Sequence, residues 1–145
     1  MLKRKILKFV ETEATYHYSL NKISSPEDVF NLLKENGLHD QAEEFLFLIT
    51  LDTANQALGI HEVSHGTVNA SVVHPREVYK RALLDNATSI ILAHNHPSGV
   101  LTPSNEDKDV TELLFKAGEI LKIKLQDHVV VSEKGYKSFK EIGLL

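Results

Sequence analysis

Two histidines and one aspartate are the residues of this chain whose types and spacing could bind a metal ion. His94 and His96 follow an apolar, strand-like stretch, and side chains two residues apart in a strand project to the same side. Their Cα atoms are then about 7 Å apart, a span that two imidazoles can close around one cation. Asp107, on the first turn of a predicted helix, can fold back over them. Two imidazoles and one carboxylate, with a fourth position left for water, are typical of a catalytic zinc site rather than a structural one.

The same aspartate also fits a helix N-terminus. Ser104 followed by Asp107 has the spacing of a capping box, and that pair taken alone favours capping over metal binding. The two roles are compatible, because the helix dipole favours an ionised carboxylate on the first turn and a metal ligand must be ionised. For His94 and His96 the alternative is a solvated loop, which their chelating spacing and the following Pro97 disfavour.

A hydrolytic zinc site also needs a general base that takes a proton from water. Four glutamates are candidates: Glu43, Glu44, Glu62 and Glu106. Glu43 and Glu44 come directly before an apolar predicted strand, where an acid could approach a site at the edge of a neighbouring strand. Spacing alone does not choose among the four, and a solvated glutamate is the alternative reading.

Three other histidines carry weaker signals. His61 and His65 are four residues apart, about 13 Å along a strand, which is too far for them to chelate one ion together. His128 lies beside the apolar run 129–131. We interpret it as a buried, hydrogen-bonded histidine, with the alternative that it orients a group near the site.

Composition limits the class of protein. A chain of 145 residues with 42% hydrophobic and 25% charged residues predicts one globular domain with a substantial core. The net charge of -4 gives no reason to expect a strong phosphate-binding surface. There is no cysteine, which excludes disulfides and thiol nucleophiles. No segment has the length of a membrane span, and Lys8 and Glu11 interrupt any signal-peptide core, so we expect a cytoplasmic protein.

Local signals predict alternating strands and helices, hence an α/β or α+β protein with a mixed sheet flanked by helices. Ser25 before Pro26 is typical of a helix start. The apolar stripe of the predicted helix consists of Val29, Leu32 and Leu33, and Gly37 can end the helix. Pro75 opens a second helix, in which Glu77 and Arg81 are spaced as an ion pair. The apolar face of a third helix is predicted at Val110, Leu113, Leu114, Ala117 and Leu121.

Five segments read as extended. Residues 45–51 are apolar on both faces, which is typical of an interior strand. After turn residues 52–55, residues 56–63 are predicted to return as a second strand. Residues 88–93 are predicted as a short buried strand, and residues 123–131 as the last strand, with an irregular tail from Gly135. Residues 6–20 are also predicted to be extended.

The spacing of these residues resembles a known signature. His94-Asn95-His96-Pro97, six residues, then Ser104-Asn105-Glu106-Asp107 is similar to the JAMM signature of the JAB/MPN metalloproteases, His-x-His-Pro, six residues, Ser-x-x-Asp. Asn95 stands where the deubiquitinating members usually carry Ser or Thr. Together with His74-Pro75-Arg76-Glu77 and Asp127-His128, Asn95 makes the chain resemble the bacterial RadC-like branch. This resemblance extends from about residue 24 to the C-terminus.

The resemblance implies a cytidine-deaminase-like JAB/MPN fold and a zinc-dependent hydrolase of peptide or isopeptide bonds. In it, His94, His96 and Asp107 would hold Zn²⁺. Ser104 would hydrogen-bond near the reacting water or the oxyanion. Glu44 best matches the family's catalytic glutamate, because Glu44-Phe45-Leu46-Phe47 leads into a strand as that residue does. The zinc ligand types also suit iron, nickel or manganese.

Residues 1–145 are interpreted as a single RadC-like JAB/MPN domain, with about 1–23 as an N-terminal extended segment and without a helix-hairpin-helix region. Two other functions are carried as alternatives. One is a DNA-associated protein acting in repair or on mobile elements, with a basic helix face at Arg76, Lys80 and Arg81. The other is a non-catalytic zinc-binding module. An exposed strand edge would also allow homo-oligomers.

Overall fold

A mixed five-stranded sheet with helices on both faces forms the architecture. The computed structural model describes residues 1–6 and 22–145. In chain order the elements are α1 (Pro26–Glu35), β1 (Phe45–Leu51), β2 (Ala57–His65), α2 (Pro75–Leu84), β3 (Ser89–Asn95), α3 (Asn105–Leu121), β4 (Lys124–Ser132) and β5 (Gly135–Ser138). The predicted class, a mixed sheet flanked by helices, is confirmed. In the described ranges, no helix combines the length and apolar character that crossing a bilayer requires.

The strand order is β2-β1-β3-β4-β5, so β3 is the central strand. It pairs antiparallel with β1 and parallel with β4, which it reaches through the crossover helix α3. Leu46, at the start of β1, lies opposite His94, near the end of β3. The residues just before β1 are therefore brought to the carboxyl end of β3, where α3 also begins.

Alternation along the strands creates two separate cores. On one face, Leu46 and Leu48 pack with residues of α2 and α3, including Tyr79 and Leu114. On the other face, the intervening β1 residues pack with α1, and this core contains Phe47, Ile49, Leu51, Val29, Leu32 and Leu33. Because every β1 residue from Leu46 to Leu51 is buried, the apolar run in the sequence correctly predicted an interior strand.

The cap signals of α1 are confirmed in detail. The Ser25 hydroxyl accepts from the Asp28 N–H, and the Asp28 side chain accepts from the Ser25 N–H in return. At the other end, Gly37 has φ +65°, and the Leu38 N–H donates to the Leu33 carbonyl at 2.8 Å. This is a Schellman ending, which glycine adopts without a steric penalty.

Three expectations need correction. β3 does not end at residue 93 but continues to Asn95, so His94 belongs to the strand rather than to the following loop. Leu113 and Leu121 of α3 are exposed, because the inner face of that helix is formed by Asp107, Val110, Thr111, Leu114 and Gly118. The tail from Gly135 is not irregular at its start, because residues 135–138 pair with β4 as β5. The extended segment predicted over residues 6–20 lies, beyond residue 6, outside the described residues.

Candidate metal centre

The end of β3 holds the two histidines side by side. His94 is fully buried, His96 is partly buried with 14% of its side chain exposed, and their Nε2 atoms lie 2.8 Å apart. The ring of His96 is fixed from behind, because its Nδ1–H donates to the Val100 carbonyl at 2.6 Å. A carbonyl can only accept, so the Nε2 atom of a neutral His96 carries a lone pair and faces His94.

Asp107 reaches both histidines from the first turn of α3. Its Oδ1 lies 3.2 Å from His94 Nε2, and its Oδ2 lies 3.2 Å from His96 Nε2. Burial raises the pKa of the Asp107 carboxyl, but its close contacts with His94 and His96 outweigh this and hold its pKa well below the usual range. Asp107 is therefore ionised, as a metal ligand must be.

The capping prediction for the same pair is also confirmed. The Ser104 hydroxyl accepts from the Asp107 N–H at 3.0 Å, and Asp107 Oδ2 accepts from the Ser104 N–H at 2.8 Å. Capping thus aims the carboxylate at the histidines rather than competing with them. The bond uses the Ser104 oxygen as acceptor, so the hydroxyl proton is still available for donation.

The structure separates the two adjacent glutamates before β1. Glu44 Oε1 lies 3.9 Å from His94 Nε2, and its side chain is 25% exposed. Burial raises the pKa of Glu44 above its usual value, although the nearby His94 and His96 oppose the shift. Glu43 instead pairs with His65 on the surface.

Four side chains converge at this point. Ligand atoms of Glu44, His94, His96 and Asp107 all lie within 4.8 Å of one another, the one such group of three or more among residues 1–6 and 22–145. The other two candidate bases, Glu62 and Glu106, are exposed and do not belong to the group.

Asn95, between the two histidines, holds the segment that carries Glu44. It is fully buried, its side-chain oxygen accepts from the Phe45 N–H at 2.8 Å, and its amide donates to the Glu43 carbonyl at 2.7 Å. These bonds flank Glu44 on both sides. In the sequence, Asn95 indicated only a family branch. The alternation of β3 could have indicated that it points away from His94 and His96 and toward another element.

His128 lies directly behind His94. It is fully buried, with its Nε2 2.7 Å from His94 Nδ1 and its Nδ1 2.6 Å from Thr111 Oγ1. Burial holds the pKa of His128 well below its usual value. Its ring stacks on Phe139 at 4.6 Å. The prediction of a buried, hydrogen-bonded histidine is confirmed, and its contact with His94 favours the orienting role as well. Thr111 was missed, although its position one helical turn after Asp107 could have indicated it.

The donor set fits a metal ion. Zinc–nitrogen bonds of about 2.0–2.1 Å in tetrahedral geometry place ligand atoms about 3.3 Å apart. The Nε2 atoms of His94 and His96 lie 2.8 Å apart, and each lies 3.2 Å from a different oxygen of the Asp107 carboxylate. An anionic carboxylate and imidazole nitrogens crowded at this spacing require a cation between them, either a proton or a metal. The raised pKa of His96, caused first by its hydrogen bond to Asp107, reflects the same demand.

The His61 and His65 pair and the basic helix face lie away from this cluster. His61 pairs with Asp85 at 2.5 Å and takes no part in the cluster. The cations at Arg76, Lys80 and Arg81 all lie within 4 Å of the Glu77 carboxylate. This pairing offsets part of the positive charge that a phosphate backbone would need.

Comparisons with known proteins find a matching family model and several related proteins. A family model described as a RadC-like JAB domain matches residues 23–144. A UPF0758 protein of Pelodictyon phaeoclathratiforme is 43% identical over 143 residues, covering 97% of this chain and 64% of that protein. A UPF0758 protein of Chlorobaculum tepidum is 44% identical over 138 residues, with 93% and 62% covered. One of Symbiobacterium thermophilum is 46% identical over 123 residues, with 85% and 52% covered. The chain thus spans between half and two thirds of the length of these relatives.

Proposed function

The chain belongs to the family of RadC-like JAB domains, and from that premise we propose that it is a zinc-dependent hydrolase of peptide or isopeptide bonds. The observation that carries the proposal is Glu44. A partly exposed carboxylate stands 3.9 Å from a buried His94 at the edge of a compact set of metal-ligand side chains. A site that only held a structural ion would have no use for such a group.

His94, His96 and Asp107 are the residues that would hold the ion, and Glu44 faces the reacting atoms. When bound, zinc supplies Lewis acidity, which brings the pKa of a coordinated water from about 15.7 towards 7. Glu44 accepts the proton of the attacking water and returns it to the leaving amine. Its raised pKa moves it closer to the range in which one group can do both.

Ser104 completes the set as a hydrogen-bond donor. Its oxygen is fixed by the Asp107 N–H, while its hydroxyl proton can be donated to the oxygen that becomes negative during attack on the amide carbonyl. Donors that are already in place at such an oxygen stabilise the transition state without reorganisation.

The test compares two neighbouring glutamates. Glu44→Gln should keep zinc but lower kcat on a cleavable peptide or isopeptide by about 10²–10⁴-fold, because proton transfer contributes on that order. Glu43→Gln is the matched control, since Glu43 lies one residue away and pairs with surface His65. It should leave kcat unchanged. Full activity in Glu44→Gln would remove the proton-transfer role.

The same experiment separates the non-catalytic module from the enzyme. A module would bind zinc in all three proteins and show no zinc-dependent turnover on a library of peptides and isopeptide-linked pairs. Zinc-dependent turnover that disappears with a chelator and returns with added zinc would support the hydrolase instead.

A further inference from the structure

A line of buried hydrogen-bonding groups runs behind His94 and ends on the backbone of another proposed ligand. The Thr111 hydroxyl lies 2.6 Å from the Asp107 carbonyl, and His128 Nδ1 lies 2.6 Å from the same hydroxyl. On the other side of the ring, His128 Nε2 lies 2.7 Å from His94 Nδ1. All four residues are at most 1% exposed, so water cannot replace any of these partners.

The chemistry of the groups fixes the direction of every bond. The Asp107 carbonyl can only accept, so the Thr111 hydroxyl donates to it. That hydroxyl has one proton, so toward His128 it must accept, and His128 Nδ1 carries the hydrogen. A fully buried imidazole is neutral, because burial penalises its charged form, so His128 Nε2 has only a lone pair. His94 Nδ1 must then donate to it, so a neutral His94 has its lone pair on Nε2.

We propose that Thr111 and His128 are positioning residues that hold His94 in its Nδ1-protonated tautomer, with the direction set by the Asp107 carbonyl. The inference rests on the proposed metal centre, because it is Nε2 of His94 that faces His96 and Asp107. It also couples two ligands from different elements. Asp107 supplies a carboxylate to the site and, through its carbonyl, prepares the histidine beside it.

As a consequence, His94 is preorganised for metal binding in the metal-free protein. In the other tautomer, a hydrogen on His94 Nε2 would occupy the place of the ion, and binding would first have to displace it. Hydrogen-bond partners of metal-bound histidines change metal affinity by about 10–100-fold when they are removed.

Thr111→Val is the central variant, because it keeps the shape of the side chain and removes the hydroxyl. His128 Nδ1–H then loses its acceptor, so the proton can move to Nε2, which reverses the bond to His94. Thr111→Ser restores the hydroxyl. Thr50→Val is a matched control, because Thr50 is also fully buried and donates one hydrogen bond, to Asp85 at 2.6 Å, near the opposite end of β1.

Two readouts are used, and the first needs neither metal nor substrate. Two-dimensional NMR of ¹⁵N-histidine-labelled, metal-free protein reports which nitrogen of His94 carries the hydrogen. Chelator competition gives the Kd for Zn²⁺. We expect Nδ1–H in the wild type, in Thr111→Ser and in Thr50→Val. In Thr111→Val we expect a measurable Nε2–H fraction and about tenfold weaker zinc binding. Thr111→Ser should bind zinc within about threefold of the wild type.

His128→Leu removes the acceptor of His94 altogether and serves as a second variant if Thr111→Val does not fold. It should also yield a mixture of His94 tautomers and weaken zinc binding. An Nε2–H tautomer in the wild type, or a Thr111→Val protein with unchanged tautomer and zinc Kd, would overturn the inference. A wild type with Nδ1–H that binds no zinc would support the hydrogen-bond direction and overturn the proposed function instead.

Discussion

Asp107 uses three kinds of polar group at once. Its carboxylate faces His94 and His96, its N–H and one carboxylate oxygen close the capping box with Ser104, and its carbonyl accepts from Thr111. Each of these bonds restricts the same side chain. A ligand held in this way loses little further freedom when an ion binds, which favours tight binding.

The side-chain amide nitrogen of Asn95 should contribute strongly to the stability of the fold. Asn95→Asp replaces its amide donor with an oxygen that faces the carbonyls of Glu43 and Gln41. Because the position is fully buried, we expect the free energy of unfolding at pH 7 to fall by about 3 kcal/mol. Urea unfolding measures this change. A loss below about 0.5 kcal/mol would show that the amide does not hold this segment.

Most residues of the candidate site could be predicted from the sequence alone. The spacing of His94, His96 and Asp107 was readable because each histidine and the helix start lie in one continuous stretch. Spacing did not choose between Glu43 and Glu44, because the choice depends on which of the two side chains turns toward β3. Only the family resemblance favoured Glu44. The contacts of His128 with Thr111 and His94 join different elements, so no local pattern encodes these pairings.

Among the elements, the cap of α3 connects folding to the site. Ser104→Ala should lower the free energy of unfolding by about 1 kcal/mol. It should also weaken zinc binding severalfold, because the Asp107 N–H loses its hydroxyl acceptor and the first turn that positions the carboxylate is held less firmly. Ser25→Ala breaks an equivalent capping box on α1 and is the matched control. It should cost the same stability and leave the zinc Kd unchanged. Equal zinc affinity in the wild type, Ser104→Ala and Ser25→Ala would show that the cap of α3 does not affect the metal site.

Helix α2 is joined to α3 by a buried phenol. Tyr79 donates to the Leu114 carbonyl at 2.6 Å, and burial raises the pKa of Tyr79 to about 12. Because the neutral form is the one that fits the fold, its contribution to stability is complete below pH 10 and is lost as the pH rises from 10 to 12.

The variant Tyr79→Phe tests this pH dependence of stability. At pH 8 the variant should be less stable than the wild type by about 1 kcal/mol, because it lacks the hydrogen bond. Toward pH 12 the wild type should lose up to about 3 kcal/mol that the variant does not lose. The difference in chemical unfolding between the two proteins should therefore shrink and reverse. A constant difference across this range would contradict the assignment.

Elements with strong local signals were predictable, and those defined by neighbours were not. The cap of α1 was visible as Ser25 before Pro26, and the cap of α3 as the Ser104–Asp107 spacing. The inner face of α3 was misjudged because Gly118 and Thr111 occupy it in place of leucines. A Cβ at Gly118 would lie 2.4 Å from the Tyr79 hydroxyl oxygen, so close approach of the helices excludes larger residues there. β5 is short and mixed in polarity, and it is a strand because β4 lies beside it.

At the scale of the whole molecule, topology assembles the site. The antiparallel pairing of β1 with β3 brings Glu44 beside His94, and the crossover through α3 starts just where β3 ends. A functional site at the carboxyl ends of parallel strands is a general property of α/β sheets. Residues from the start of β1, the end of β3, the start of α3 and the middle of β4 therefore meet at one edge.

The metal content of the purified protein tests the central claim most directly. Elemental analysis after zinc reconstitution should give about one zinc ion per wild-type chain and almost none for the His94→Ala, His96→Ala double variant. A His61→Ala, His65→Ala double variant removes two histidines outside the cluster and should retain the ion. A wild type without zinc, or a His94/His96 variant that keeps it, would contradict the metal centre on which this account depends.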